Sequence, residues 1–507
     1  MSKTIFRMAL MSLTLVLAAS QAQAKDSGYP SKGKALDQLS PASDYTDVMQ
    51  GRPRALGIMR ARANGFVPSP VMHDYVRGVL ARLLRGVPLP PTFNPDVRIL
   101  AAPEFSALCT PDGTIVITIG LLEQLDNEDE LAFVLAHEVS HAIYRHHDAE
   151  WFNKAQYFAV MNGAAVQSIA DTAAIGGFNS GNVARGLDVA QHMYRLSQNV
   201  LAPQMTRAQE DAADALGFDL MVRAGYDSEA ALAVMDKLAE QEAEAAAAAR
   251  EAKDAAKGEG HTGLSAGSIL DGLSNAMSGN WTDVAIFAFD AAVDNMSDEA
   301  TSHHPATERA QLLSAYAFRE YRDTLPAAPT PLPWAQGVKS PQGPALTALL
   351  AHYAAAENAA AYIADRSQGD PTSAKSEVTR STTLPTVDHA YTEFVASEYY
   401  DMDGQRPMSE AALKRAIAGP EPSWEIYSRL LDVYTARNDW AAAETLMSQA
   451  VTRFDNSPVL LPKRISILVG AGDEPGAQAL LPQCKGYDIK ELYQACKKAA
   501  NGGGDSD

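Results

Sequence analysis

Cysteine is scarce in this chain, three among 507 residues, so the fold cannot rest on a disulfide scaffold. Cys484 and Cys496 are close enough in sequence to pair in an oxidising compartment, closing a short loop worth ~3 kcal/mol at best. Cys109 stands among apolar neighbours and reads as a small buried hydrophobe. Positive charge is also in deficit, with 42 Lys and Arg against 62 Asp and Glu and a net charge of −20. That balance argues against nucleic acid or an anionic bilayer as a partner and for a soluble chain. Long apolar runs are missing as well. The most apolar later stretch, residues 158–178, is interrupted by Gln167, Asp171 and three glycines, so no transmembrane segment is expected after the first residues are removed.

Those first residues have the form of a cleavable export signal. Lys3 and Arg7 precede an apolar stretch from Met8 to Ala19, and Ala22-Gln23-Ala24 ends in a small-x-small cleavage pattern. Residues 1–24 are read as a signal peptide and the mature chain as periplasmic. Loss of Lys3 and Arg7 takes the net charge from −20 to −22.

From 25 to 325 the pattern is mostly helical, with two short β-branched runs at Val97 to Ala101 and Thr114 to Ile119. Pro111-Asp112-Gly113 between them offers turn chemistry. Asn127 with Glu130 three residues later reads as a helix cap, and the apolar run that follows marks a buried helix. Residues 239–300 differ in composition and read as an insertion. An alanine-rich charged helix from Glu242 to Lys257 is broken by glycines, and a second helical pattern passes through Asp283. Six prolines mark residues 326–344 as a stiffened linker. Residues 345–500 are wholly helical. There Asn438-Asp439 with Ala443 recurs as Gly472-Asp473 with Ala477, a shift of thirty-four residues, the tetratricopeptide period. Residues 501–507 are a polar tail. The expected fold class is α+β, mainly α: a zincin-like domain with a small β-sheet, then an all-α repeat domain.

The chemistry is concentrated in His137-Glu138-Val139-Ser140-His141. Residues four apart share a helix face, so His137 and His141 can present two imidazoles to one Zn2+, while Glu138, turned by about 100°, faces the attacking water as general base. Apolar flanks oppose a reading as two solvated histidines, because buried imidazole needs a partner or a metal. Three routes to a third ligand exist. His147 has metzincin spacing, but Tyr144 stands where that turn needs glycine, so the helix should continue and carry His147 away from the metal. Glu210 and Asp214 lie one turn apart on a second helix, opened by Thr206 with Gln209 and closed at Gly225. Glu210 then serves as ligand and Asp214 as the carboxylate behind a ligating histidine. Asp211 is turned about 100° off that face.

These motifs together resemble metallopeptidase family 48, which contains the CAAX prenyl endoprotease and the bacterial heat-shock membrane peptidase. The resemblance rests on the run from Gly120 to His141 followed by Arg145-His146, on Arg207 to Asp214, on Ala224-Gly225-Tyr226-Asp227, and on His304-Pro305 with Arg309. It covers roughly residues 50 to 320. It implies a gluzincin fold, Glu210 as third zinc ligand, peptide-bond cleavage, and Arg309 as transition-state support. It also implies that the His304 loop reaches toward the metal, where His304 acts as a displaceable fourth ligand, the favoured role, or as an oxyanion donor. His303 beside it reads as a solvated loop residue. Two departures stand out: Ser106-Ala107-Leu108 where the family has asparagine-alanine-phenylalanine, and the length of the insertion. Exported and repeat-bearing, the chain is most similar to the branch that serves quality control of outer-membrane proteins. That branch implies protein substrates and a protein partner in the outer-membrane assembly machinery at the repeats. The competing reading is a chaperone-like repeat scaffold with a latent zinc site. A peptidoglycan-directed enzyme has little support, since no segment resembles a glycan-binding module.

Overall fold

The computed structural model describes residues 28–60, 64–147, 205–258, 305–324, 327–364 and 370–502. Residues 1–24, the stretch 158–178 and residues 259–304 of the insertion, with the pattern through Asp283, lie outside the described residues. The fold is α+β and mainly α. Helices α1 (Thr46–Met49), α2 (Arg52–Arg60) and α3 (Pro70–Leu84) lead into strands β1 (Asp96–Leu100), β2 (Ala107–Cys109) and β3 (Thr114–Thr118). The sheet order is β1-β3-β2. β1 runs parallel to β3 with Val97 opposite Ile115, and β2 runs antiparallel to it with Leu108 opposite Val116.

Two of these strands match the β-branched runs; β2 does not, because three residues are too few to display an alternating pattern. The Pro111-Asp112-Gly113 turn therefore joins β2 to β3, not the two expected strands. Gly113 supplies the positive φ of 72°. The fully buried Asp112 accepts from the hydroxyls of Thr110 at 2.6 Å and Thr114 at 2.5 Å, and from Arg52 Nε at 2.9 Å.

Next come α4 (Ile119–Gln124) and α5 (Glu128–Tyr144), then α6 (Arg207–Arg223), α7 (Glu229–Gly258) and α8 (Ala306–Tyr321). α5 starts where Asn127 Oδ1 accepts from the Glu130 amide at 2.9 Å. Its apolar side chains from Leu131 to Ala136 are buried, with Val139, Ala142 and Ile143. In α6 the Thr206–Gln209 capping box is complete, and Gly225 follows with φ 79°. The alanine-rich helix of the insertion is not a separate element: it continues α7, since no glycine or proline interrupts residues 229–257.

Nine further helices follow among the described residues: α9 (Gly343–Ala364), α10 (Pro371–Ser381), α11 (Ala390–Met402), α12 (Arg406–Ala418), α13 (Trp424–Ala436), α14 (Trp440–Arg453), α15 (Leu461–Gly470), α16 (Glu474–Gly486) and α17 (Lys490–Ala500). One apolar core runs without a break from Val76, Ile117, Phe133 and Leu216 to Leu332, Leu349, Tyr353 and Tyr399. The proline-rich segment, read as a stiffened linker, is a docked strap. Leu332 is buried, Trp334 meets Tyr75 edge-on at 5.5 Å, and the Glu128 amide donates to Thr330 O at 2.8 Å. Prolines lack an amide to satisfy, which suits a strap held by a few apolar anchors.

Smaller cores serve α12 to α15, around Leu413, Tyr427, Met447 and Phe454, and the end of the chain, around Ile465, Ala477 and Leu492. The thirty-four-residue shift corresponds to equivalent corners. Asn438 and Gly472 both have positive φ, Asp439 and Asp473 cap α14 and α16 through the amides of Ala442 and Gly476, and Ala443 and Ala477 are fully buried. Cys484 and Cys496 form a disulfide between α16 and α17. Among the described residues no helix is long and apolar enough to cross a membrane.

Candidate metal centre

α5 and α6 lie side by side, and a glycine lets them. A Cβ on Gly217 would fall 2.9 Å from the His137 amide nitrogen and 3.1 Å from its Cα, closer than packed atoms tolerate. Glu210 and Asp214 precede Gly217 by two turns and one turn, so all three share the face of α6 turned to α5.

Across that contact the donors converge. His137 Nε2 and His141 Nε2 are 3.1 Å apart. Glu210 Oε2 lies 3.5 Å from the first and Oε1 3.8 Å from the second. One ligand atom from each of the three residues falls within 4.8 Å of the others. The outer nitrogens face other partners: His137 Nδ1 is 2.9 Å from Asp214 Oδ1, and His141 Nδ1 is 3.1 Å from His146 Nδ1. Protons held on the Nδ1 side leave two lone pairs and a carboxylate aimed at one point, an arrangement that only a positive charge between them stabilises. A metal ion fits this donor set.

The charges around it are arranged accordingly. Burial disfavours a charged His137, but the hydrogen bond and charge of Asp214, with Glu210, outweigh it and raise the ring's pKa. Burial and the neighbouring His137 hold His141 well below its ordinary value. Burial would raise Asp214, yet the Arg309 guanidinium and His137 bring it down to about 2. Arg309 forks onto Asp214, Nε to Oδ2 at 3.0 Å and Nη2 to Oδ1 at 2.7 Å, and its Nη2 is 3.3 Å from Glu210 Oε2. Its guanidinium therefore grips the carboxylates that frame the donors. Glu138, pushed up to about 7 chiefly by burial, lines a cavity of about 210 Å³ with His137, His141, Glu210, Arg309 and residues 105–109 around β2.

Two sequence expectations need correction. The helix does not continue past Tyr144: Arg145 adopts the left-handed conformation with φ 55°. The Arg145 amide donates to Ala142 O at 3.1 Å and the His146 amide to His141 O at 3.0 Å, closing the helix end without glycine. His147 consequently lines the same cavity and does not point away from it. Asp211, buried on another face of α6, accepts from the Gly28 amide at 3.2 Å. His303 and His304 lie outside the described residues; just after them, the Ala306 amide donates to the Glu242 carboxylate. The sequence reading missed His146 as a partner of His141, and also Glu242. A non-glycine left-handed stop leaves no sequence signal for the first, and the second depends on α7 running unbroken past its expected end.

Two imidazoles from one helix, a carboxylate from the next and a half-buried glutamate beside them are a donor set that could hold a metal in the two-histidine, one-glutamate manner. Residues 71–317 match the model of peptidase family M48, and the chain carries a domain of that family. It is 32% identical over 143 residues to the Mitochondrial metalloendopeptidase OMA1 of Arabidopsis thaliana, 28% of this chain and 25% of that protein. Over 139 residues it is 33% identical to the Beta-barrel assembly-enhancing protease of Yersinia pestis, 27% of each chain. The matches span about a quarter of the length of these curated relatives.

Proposed function

We propose that the chain is an exported zinc metalloendopeptidase that cleaves misfolded or stalled envelope proteins. The convergence of His137 Nε2, His141 Nε2 and Glu210 beside Glu138 is the observation that carries this reading. Zinc, when bound, supplies a Lewis acid that lowers the pKa of water toward ~7. Glu138 takes a proton from the attacking water on its carboxylate and returns it to the leaving amine. Asp214 fixes the His137 ring, and Arg309 fixes Asp214 and Glu210. Among the described residues β2 pairs with β3 alone, and an extended substrate adding along its other edge would lie beside Glu138.

Export is supported by the form of residues 1–24 and by the Cys484–Cys496 disulfide, a bond suited to an oxidising compartment. The thirty-four-residue correspondence of α13–α14 with α15–α16 supports tetratricopeptide-type repeats. A relative named for β-barrel assembly points to outer-membrane assembly machinery as their partner. The test is cleavage of unfolded casein by the purified chain. Cleavage that chelator abolishes and zinc restores is expected. No cleavage with zinc bound would leave the repeat-scaffold reading with a latent site.

A further inference from the structure

The turn after α5 returns a side chain to the metal centre from behind. Arg145 takes φ 55°, the His146 amide closes onto His141 O, and the His146 ring meets the His141 ring edge-on, 5.1 Å between centroids. Three further contacts fix it. The Tyr144 ring stacks on it at 5.2 Å and 19°, the Gln209 side-chain amide donates to His146 O at 3.0 Å, and the two Nδ1 atoms stand 3.1 Å apart. Gln209 belongs to the capping box of α6, so the turn is tied to the helix that carries Glu210.

Two ring nitrogens at that distance form a hydrogen bond only when one carries a proton and the other a lone pair. His141 Nε2 faces His137 and Glu210, and to offer them a metal-binding lone pair His141 must keep its proton on Nδ1. The proton then points at His146 Nδ1. We propose that His146 is a positioning residue that locks His141 in the metal-binding tautomer by accepting its Nδ1–H. The inference rests on the metal-site reading above. It gives the two ligand histidines different outer partners, a carboxylate held by Arg309 for one and a neutral imidazole for the other.

The test is zinc affinity of the full chain, measured by competition with a chromophoric chelator for wild type, His141→Ala, His146→Phe and His146→Asn. Phenylalanine keeps a ring against Tyr144 but cannot accept; asparagine offers an acceptor near the position of Nδ1. His146→Phe is expected to bind zinc on the order of 10- to 100-fold more weakly, with His146→Asn returning most of the loss. A His146→Phe affinity equal to that of a zinc-binding wild type overturns the proposal and leaves the metal site standing. A wild type that binds no more zinc than His141→Ala overturns both. Should His146→Phe fail to fold, nitrogen-15 spectra of the zinc-loaded wild type decide: a proton on His141 Nδ1 is expected, and one on Nε2 overturns the proposal.

Discussion

Two regions of this molecule set a half-buried arginine between carboxylates. In the metal centre Arg309 lies against Asp214 and Glu210, and Glu138 nearby is pushed up to about 7. Among the C-terminal helices Arg429 pairs with Glu398 and lies 3.7 Å from Glu425, which burial also pushes up to about 7, while Lys463 pairs with Asp432 close by. The electrostatic device is the same; the surroundings differ. Only in the first do two imidazole lone pairs converge with a carboxylate beside a cavity. In the second the charged groups pair with one another and join α11, α13 and α15. A displaced carboxyl pKa thus marks burial first, and convergent donor geometry is what separates a candidate catalytic site from a structural ion network.

The comparison breaks most sharply at its two matched glutamates. Glu138→Gln is expected to lower casein cleavage by ~10²- to 10⁴-fold, whereas Glu425→Gln leaves the rate within about twofold. Steady-state kinetics on the two variants check this, and equal losses would erase the distinction. Next in size are the arginines. Removing one partner from a buried ion pair costs about 3–5 kcal/mol, so Arg309→Met and Arg429→Met should both lower stability in urea titrations. Only Arg309→Met should also release zinc to a chelator.

The smallest effect is a pH dependence confined to the C-terminal helices. Burial raises Glu425 from its ordinary 4.5 to about 7, so between those values the folded chain binds a proton that the unfolded chain has released. Stability from this group therefore falls as pH rises through that window and is lost above it. Glu425→Gln removes the slope. Its unfolding free energy should gain on that of wild type from about pH 5 to about pH 8, and a constant difference would contradict the assignment.

The legible parts of this structure were those with local rules. Asn127, Thr206 and Gln209 announced helix starts through side-chain chemistry, and the thirty-four-residue echo at Asp439 and Asp473 gave two equivalent capped corners. Helical periodicity put His137 with His141 on one helix face and Glu210 with Asp214 on a face of another. What escaped depended on long-range contact. β2 exists because β3 and α5 flank it, not because Ala107-Leu108-Cys109 favours a strand. Arg145 ends α5 in a conformation no residue there advertises, which brings His146 and His147 back to the site. The proline-rich strap docks because Leu332 and Trp334 find apolar surface on a domain far away in sequence.

Glu210 as the third metal ligand is the central claim about this molecule. Native mass spectrometry of wild type, Glu138→Gln and Glu210→Gln addresses it directly. One zinc is expected on the wild type and on Glu138→Gln, because that carboxylate serves the water and not the ion, with zinc largely lost from Glu210→Gln. A Glu210→Gln chain that kept its zinc and cleaved casein at the wild-type rate would contradict the account.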